Sequence, residues 1–145
     1  MVDVWPVIGD AHTHKTTTIR ALTGVRGIER QWLVAYAPGG QTAATYVQPG
    51  GLQEASIDAN TFIADVIASG VNHVIVALRY DPWRGYPNAA AYLTAFVGAG
   101  WNVPAHAVLG RPVIMAGYAG IAVPNAAALP SNEVARQVRA NWGIA

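Results

Sequence analysis

The sequence predicts an α/β fold in which a mostly parallel sheet carries helices on both faces. Short apolar runs that suit buried strands alternate along the chain with segments whose apolar residues recur at helical spacing. Most of these segments end at glycine or proline, which are typical of the loops between elements. The length of 145 residues is that of one domain, so we expect a single domain over 1–145.

The first half of the chain begins with strand, loop and helix. Val4–Ile8 is an apolar run that ends at Gly9, which favours a buried strand feeding a loop. Thr16–Thr23 follows as a short helix that ends before a glycine. Two further strands are predicted, each ended by Pro-Gly-Gly: Trp32–Ala37 and Thr42–Val47.

The second half continues the alternation. A helix is predicted over Ser56–Ser69 with Ser56 as its N-cap, because the apolar residues within it recur at helical spacing. The elements predicted after it are a strand over His73–Leu78, a helix over Ala89–Val97, a strand over Ala105–Leu109 and a final helix over Ser131–Trp142. The glycine- and proline-rich stretch before the final helix is predicted to be irregular.

Composition argues against several function classes. The net charge is +1 without a basic cluster, so we expect no nucleic-acid partner. We expect no membrane span, because Val113–Leu129 is interrupted by Pro124 and two glycines. Met1–His14 contains no basic segment followed by an apolar stretch, which predicts a cytoplasmic protein. The absence of cysteine excludes disulfides, thiolate metal sites and a cysteine nucleophile.

The chain combines low charge with many large aromatic residues. Only 12% of the residues are charged, and there are five tryptophans and six tyrosines. Large aromatic residues are enriched at protein interfaces, so a homo-oligomer or a protein partner would account for them. A densely packed aromatic core would account for them equally well.

Lys15 is the only lysine of the chain, and it lies in a near-match to a phosphate-binding loop. The phosphate-loop pattern is glycine, four residues, glycine, lysine and then serine or threonine. Residues 9–16 match it except that His14 replaces the second glycine. Glycine at that position allows a tight turn and a close approach of the backbone to phosphate. A histidine there alters the loop without excluding an anion.

The segment from Val7 to Gly24 resembles the first strand, loop and helix of small GTPases and related P-loop NTPases. The resemblance covers about twenty residues and implies a P-loop NTPase-like α/β domain with a degenerate loop. The chain has no Asn-Lys-x-Asp motif, and no Asp-x-x-Gly follows a strand. Guanine specificity is therefore not implied.

The resemblance also implies roles for individual residues. Lys15 would be the catalytic residue and would contact the β- and γ-phosphates, while Thr16 would bind Mg²⁺ together with a nucleoside triphosphate. Asp81, just beyond a predicted strand, is the best candidate for a second magnesium ligand. The predicted phosphate-binding residues are Gly9, Asp10, Ala11, His12, Thr13, His14, Lys15, Thr16 and Thr17.

The same loop also contains a metal-binding pattern. Asp10, His12 and His14 spell Asp-x-His-x-His, a strand-end motif of metal-dependent hydrolases that bind Zn²⁺ or Mn²⁺. Those enzymes take further ligands from later strands, for which the chain offers mainly His73 and His106. The chain is also too short for the roughly 250 residues of an eight-stranded α/β barrel.

Three functions are therefore open. The favoured one is a protein that binds a nucleotide or another phosphorylated ligand, with NTPase-like or phosphotransferase activity if it is active. The second is a metal-dependent hydrolase that uses the histidine pair, and the third is a non-catalytic assembly or partner-binding protein.

Overall fold

The computed structural model describes residues 1–25, 31–36 and 42–143. The strands are β1 (Asp3–Gly9), β2 (Gln31–Tyr36), β3 (Thr42–Gln48), β4 (His73–Leu78), β5 (His106–Leu109) and β6 (Gly120–Val123). The helices are α1 (Lys15–Thr23), α2 (Ala59–Ser69), α3 (Ala89–Gly98) and α4 (Ser131–Trp142), with a short 3₁₀ helix at Ala126–Ala128. The fold is therefore α/β, as the alternating pattern predicts.

The six strands form one sheet in the order β2-β3-β4-β1-β5-β6. All neighbouring pairs are parallel except β2 and β3, which are antiparallel at one edge. β1 is central and pairs with both β4 and β5, which aligns Ile8 with Leu78 and with Val108. A strand covered on both faces is expected to be apolar throughout, which accounts for the uninterrupted run in β1.

The two faces of the sheet bury separate hydrophobic clusters. Trp5 and Val7 of β1 pack in the cluster that contains the buried apolar residues of α1 and α4. Val4 and Ile8 belong to the cluster formed with α2 and α3. Successive side chains of a strand point to opposite faces, so this division follows from the period of two along β1. Helices thus cover both faces of the sheet.

Most predicted elements lie within a residue or two of their observed positions, and α4 has the predicted bounds. The glycines after α1, α2 and α4 each adopt a left-handed conformation at the helix end, as their placement predicts. The predicted end of the second strand at Ala37 and the Pro-Gly-Gly segment that follows it lie outside the described residues.

The start of α2 differs from the prediction. Ser56 is not its N-cap; Asp58 is, and its carboxylate accepts a hydrogen bond from the Thr61 N–H at 2.7 Å. This bond lowers the pKa of Asp58. Ser56 instead adopts a positive φ of 59° in the turn that precedes the helix. The sequence offers two good capping residues two positions apart, and the apolar spacing alone does not choose between them.

Strand β6 lies in the stretch that was predicted to be irregular, so that prediction was wrong. The strand has only four residues, begins at Gly120 and pairs in parallel with β5. A Cβ at Gly120 would lie 2.3 Å from the backbone oxygen of His106. The glycine that weakens the strand pattern in the sequence is therefore required by the close approach of the two strands.

No helix among the described residues has both the length and the apolar character needed to span a bilayer.

His106 is a fully buried histidine within β5. Its Nε2 accepts a hydrogen bond from the Met115 N–H at 2.9 Å, and its Nδ1 lies 2.7 Å from the Ala119 carbonyl oxygen. A neutral ring with its proton on Nδ1 satisfies both partners. Burial lowers the pKa of His106. The histidine is thus a core residue whose protonation would break the bond to Met115.

We expect His106 to make the folded state sensitive to acid. Its folded pKa lies below the unfolded value of about 6.5, so the unfolded chain binds the proton first as the pH falls. Stability should therefore decrease below about pH 6.5 by up to about 1.4 kcal/mol per pH unit, until the folded pKa is reached. Urea unfolding of the wild type and of His106→Gln at several pH values measures this. The wild type and His106→Gln share the other histidines. Parallel dependence of their unfolding free energies on pH would therefore contradict the expectation.

Candidate functional site

The parallel strands bring several polar loops together at one edge of the sheet. β1, β3, β4 and β5 run in the same direction, so their carboxyl ends meet at that edge. The charged residues in the loops that follow these strands include Asp10, Glu54, Arg79, Asp81 and Arg111. Lys15, the first residue of α1, lies at the same edge. The loop between β1 and α1 therefore shares this edge with charged residues from three other loops.

The loop between β1 and α1 has a backbone suited to an anion. His12 and His14 both have positive φ, at 63° and 66°. Alternation of left-handed with ordinary residues turns successive N–H groups toward one point, the arrangement called a nest. α1 has no side-chain cap, and within the described chain the N–H groups of residues 14–17 have no hydrogen-bond acceptor. These donors are available to a ligand.

Lys15 is held against the loop that it follows. Its Nζ donates to the Asp10 carbonyl oxygen at 3.0 Å and lies 3.6 Å from Glu54 Oε1. Only 8% of its side chain is exposed. Burial lowers the pKa of Lys15, and the Glu54 carboxylate partly offsets this effect. The ammonium is thus a partly desolvated cation, which makes its attraction to an anion stronger than at an open surface.

A surface cleft of about 290 Å³ opens at the start of α1. The residues that line it are Ala11, His12, His14, Lys15, Thr16, Thr17 and Glu54. The Thr16 hydroxyl donates to the Pro49 carbonyl oxygen at 3.0 Å, which ties the start of α1 to the loop after β3. The cleft therefore combines loop residues predicted to bind phosphate with one acid from another loop.

Three of the predicted loop residues, Gly9, Asp10 and Thr13, do not line the cleft. Thr13 is buried, and its hydroxyl donates to the Asp10 carbonyl oxygen at 2.7 Å. Gly9 passes so close to it that an added Cβ would lie 2.3 Å from Thr13 Oγ1. A Cβ at Gly110, at the end of β5, would lie 2.7 Å from Thr13 Cγ2. Two glycines thus leave the space that Thr13 fills, and Thr13 supports the loop from below.

Asp10 and Asp81 are joined by Arg111 on the side of β5. Arg111 Nη2 donates to Asp10 Oδ2 and to Asp81 Oδ2, both at 2.9 Å. The guanidinium also lies 3.8 Å from the centre of the Tyr80 ring. Asp81, the predicted magnesium ligand, therefore has an arginine partner and does not line the cleft that contains Thr16. The structure does not bring these two predicted metal ligands together.

The residues of the metal-binding pattern are only partly brought together. His12 and His14 line the same cleft, whereas the Asp10 carboxylate binds Arg111. His73 begins β4 at the opposite edge of the sheet, and His106 is occupied by backbone partners. Within the described ranges, no three His, Asp or Glu side chains are grouped so that they could hold a metal ion.

Glu54 is the site residue that sequence reasoning missed. It follows the Pro-Gly-Gly segment at the end of β3, and its Oε1 lies within 4 Å of both Lys15 Nζ and Arg79 Nη1, at 3.6 and 3.8 Å. Its position after a predicted strand was a usable signal, because the carboxyl ends of parallel strands meet at one edge. Asp81 also follows a predicted strand, and the sequence does not reveal which of the two acids reaches Lys15.

Gln53 fixes the loop that carries Glu54. It is 1% exposed, and its Nε2 donates to the carbonyl oxygens of Arg79 and Pro87 at 3.0 and 3.2 Å. Its Oε1 accepts the Arg79 N–H at 2.9 Å. One amide side chain thus joins the loop after β3 to the loop after β4, which places Glu54 next to Arg79.

We expect the left-handed conformation of His14 to set the order of stability among its variants. His14→Gly should be about 1–2 kcal/mol more stable than His14→Val, because a β-branched residue is strongly disfavoured at positive φ. Thr17 provides the matched control, since it lies in the helical first turn of α1. There the order should reverse, with Thr17→Val more stable than Thr17→Gly. Urea unfolding of the four variants decides; the same order at both positions would contradict the assigned loop conformation.

Comparison with protein-family models, with curated proteins and with solved structures gives no match to this chain.

Proposed function

We propose that the protein binds a phosphorylated ligand at the loop between β1 and α1, and that the ligand is a nucleoside triphosphate with Mg²⁺. The observation that carries the proposal is the combination of the left-handed residues His12 and His14 with the uncapped start of α1 and the buried Lys15. Backbone N–H groups and a lysine converging on one cleft are the groups by which phosphate loops hold phosphate. The P-loop-like interpretation of the fold and a cytoplasmic location belong to the same proposal.

The proposed roles follow from the positions of the side chains. The Lys15 ammonium neutralises phosphate oxygens and, if the protein is an NTPase or phosphotransferase, stabilises charge on the transferred phosphoryl group. Thr16 offers its hydroxyl to Mg²⁺ after exchanging its present bond to Pro49. Asp81, the predicted second magnesium ligand, would have to leave Arg111 to reach the ion.

Ligand-dependent thermal unfolding tests the proposal. Purified protein is heated with MgATP, MgGTP, MgADP and MgGDP, and separately with Zn²⁺ or Mn²⁺ alone. A ligand at about 100 times its Kd should add about 2.7 kcal/mol of stability. Lys15→Met should abolish the stabilisation, because methionine retains the aliphatic stem but lacks the ammonium. Arg136→Met removes a cation from an exposed position on α4 and should leave the stabilisation intact.

The other outcomes identify the alternatives. Stabilisation by Zn²⁺ or Mn²⁺ without nucleotide, lost in the His12→Ala/His14→Ala variant, would replace the proposal with the metal-dependent hydrolase. No stabilisation by any of these ligands would refute nucleotide binding and favour an assembly or partner-binding protein. Analytical ultracentrifugation would then test for a homo-oligomer.

A further inference from the structure

Arg79 is a nearly buried cation whose hydrogen-bonding capacity is largely unused. Its side chain is 12% exposed, and it makes no side-chain hydrogen bond to any described residue. Its Nε is buried without a hydrogen-bond partner in the described chain. A guanidinium carries five N–H donors, and buried donors of this kind are normally satisfied. The unused donors indicate an oxygen-rich anion that the described residues do not supply.

The guanidinium of Arg79 is held in a defined place beside the cleft. Its Cζ lies 4.2 Å from the centre of the Trp83 ring, a cation–π contact that holds the group beside the ring. Its backbone N–H and carbonyl oxygen are both bound by Gln53. An arginine positioned in this way loses little conformational freedom when it binds a ligand.

Glu54 bridges Arg79 and Lys15 through a single carboxylate oxygen. The distances of 3.8 Å to Arg79 Nη1 and 3.6 Å to Lys15 Nζ exceed the roughly 2.7–2.9 Å of charge-assisted hydrogen bonds. Glu54 therefore neutralises both cations without binding either tightly. Its side chain is 43% exposed, so it is free to turn toward solvent. A phosphate group has the charge and the number of oxygens to replace it between the two cations.

We propose that Arg79 is a ligand-binding residue, which together with Lys15 holds the terminal phosphate of a nucleoside triphosphate at the position that Glu54 occupies before the ligand binds. The inference rests on the proposed function and adds two features to it. Arg79 makes the site selective for the triphosphate over the diphosphate. Glu54 lowers the affinity, because the incoming phosphate has to displace it.

Calorimetric titration with MgATP and MgADP, repeated with the guanine nucleotides, tests both features. Glu54→Gln should bind the triphosphate about tenfold more tightly than the wild type, since the competing charge is gone. Arg79→Met should bind the triphosphate about tenfold to a hundredfold more weakly, the loss expected for a charged hydrogen bond, and should bind the diphosphate almost as the wild type does. Arg84→Met is the control, because Arg84 is exposed and its Cζ lies farther from the centre of the Trp83 ring, at 5.2 Å.

Comparing the affinities for triphosphate and diphosphate distinguishes the loss of a ligand contact from a general effect on folding. A purely structural effect of Arg79→Met would weaken the binding of triphosphate and of diphosphate alike, and this result would overturn the inference. If Arg79→Met does not fold, Arg79→Lys and Glu54→Gln carry the test, with Arg79→Lys expected to retain part of the selectivity. If Glu54→Gln and the Arg79 variant both bound the triphosphate with wild-type affinity, this inference would be refuted. If nucleotide binding by the wild type still depended on Lys15, the proposed function would stand. Failure of both wild type and Glu54→Gln to bind any nucleotide would refute both.

Discussion

Gln53→Glu should destabilise the folded protein by about 3 kcal/mol at neutral pH. The substitution replaces an NH₂ group that donates to the carbonyl oxygens of Arg79 and Pro87 with an oxygen that repels both. Gln53 is 1% exposed, so water cannot solvate the new carboxylate. Burial and the two carbonyls should raise the pKa of the introduced acid above its usual value of about 4.3. The destabilisation should therefore be smallest below pH 4.3 and grow as the pH rises through the folded pKa.

Urea unfolding at pH 4 and pH 7 measures this effect. Asn132→Asp is the matched control, because it makes the same change from amide to carboxylate at an exposed position in the first turn of α4. That control should lose no stability, since an acid near a helix start is favourable. A Gln53→Glu protein as stable as the wild type at pH 7 would mean that Gln53 does not join the two loops.

Gly9→Ala should cost about 1–3 kcal/mol, the range typical of overpacking a filled site. The new methyl group would lie 2.3 Å from Thr13 Oγ1 and 3.0 Å from the Leu109 carbonyl oxygen, so Thr13 has to move. Because Thr13 supports the loop from below, we expect the substitution to weaken ligand binding as well. Thermal unfolding with and without MgATP reports both effects in one experiment.

Two further variants isolate the contact with Thr13. Gly98→Ala is the control for adding a methyl group, because nothing lies within 4 Å of its Cβ position; it should be neutral or slightly stabilising. Thr13→Ala in the Gly9→Ala background should restore part of the lost stability, since the hydroxyl that clashes is removed. A double-mutant cycle that gives no coupling between these positions would contradict the proposed clash.

The sequence predicts the fold class because that class depends on local patterns. Apolar runs such as 73–78 are long enough to identify strands, and glycine after a periodic segment marks a helix end. The four residues of β6 carry no such pattern, and the contact that requires Gly120 is with His106 of another strand, β5. The prediction fails there because the relevant information is tertiary.

The candidate site likewise has one part that the sequence predicts and another that it does not. Lys15 and its loop are recognisable because the loop is one continuous segment with a known spacing. Glu54 and Arg79 come from two other loops, and their contacts depend on β4 lying between β3 and β1. Residue spacing carries no information on strand order, so the sequence suggests the loop but does not place Glu54 or Arg79 beside its lysine.

The pairing of β1 with β5 has a consequence for how this protein folds. The pairing brings Val7 together with Ala107, 100 positions away in the sequence, and the pairing with β4 is also distant in sequence. Proteins dominated by such non-local contacts close large loops before they gain stabilising interactions, and they fold slowly. Because the proposed site draws on the loops after β1, β3 and β4, it forms only when the centre of the sheet is assembled. A ligand bound there would slow unfolding more than it speeds folding.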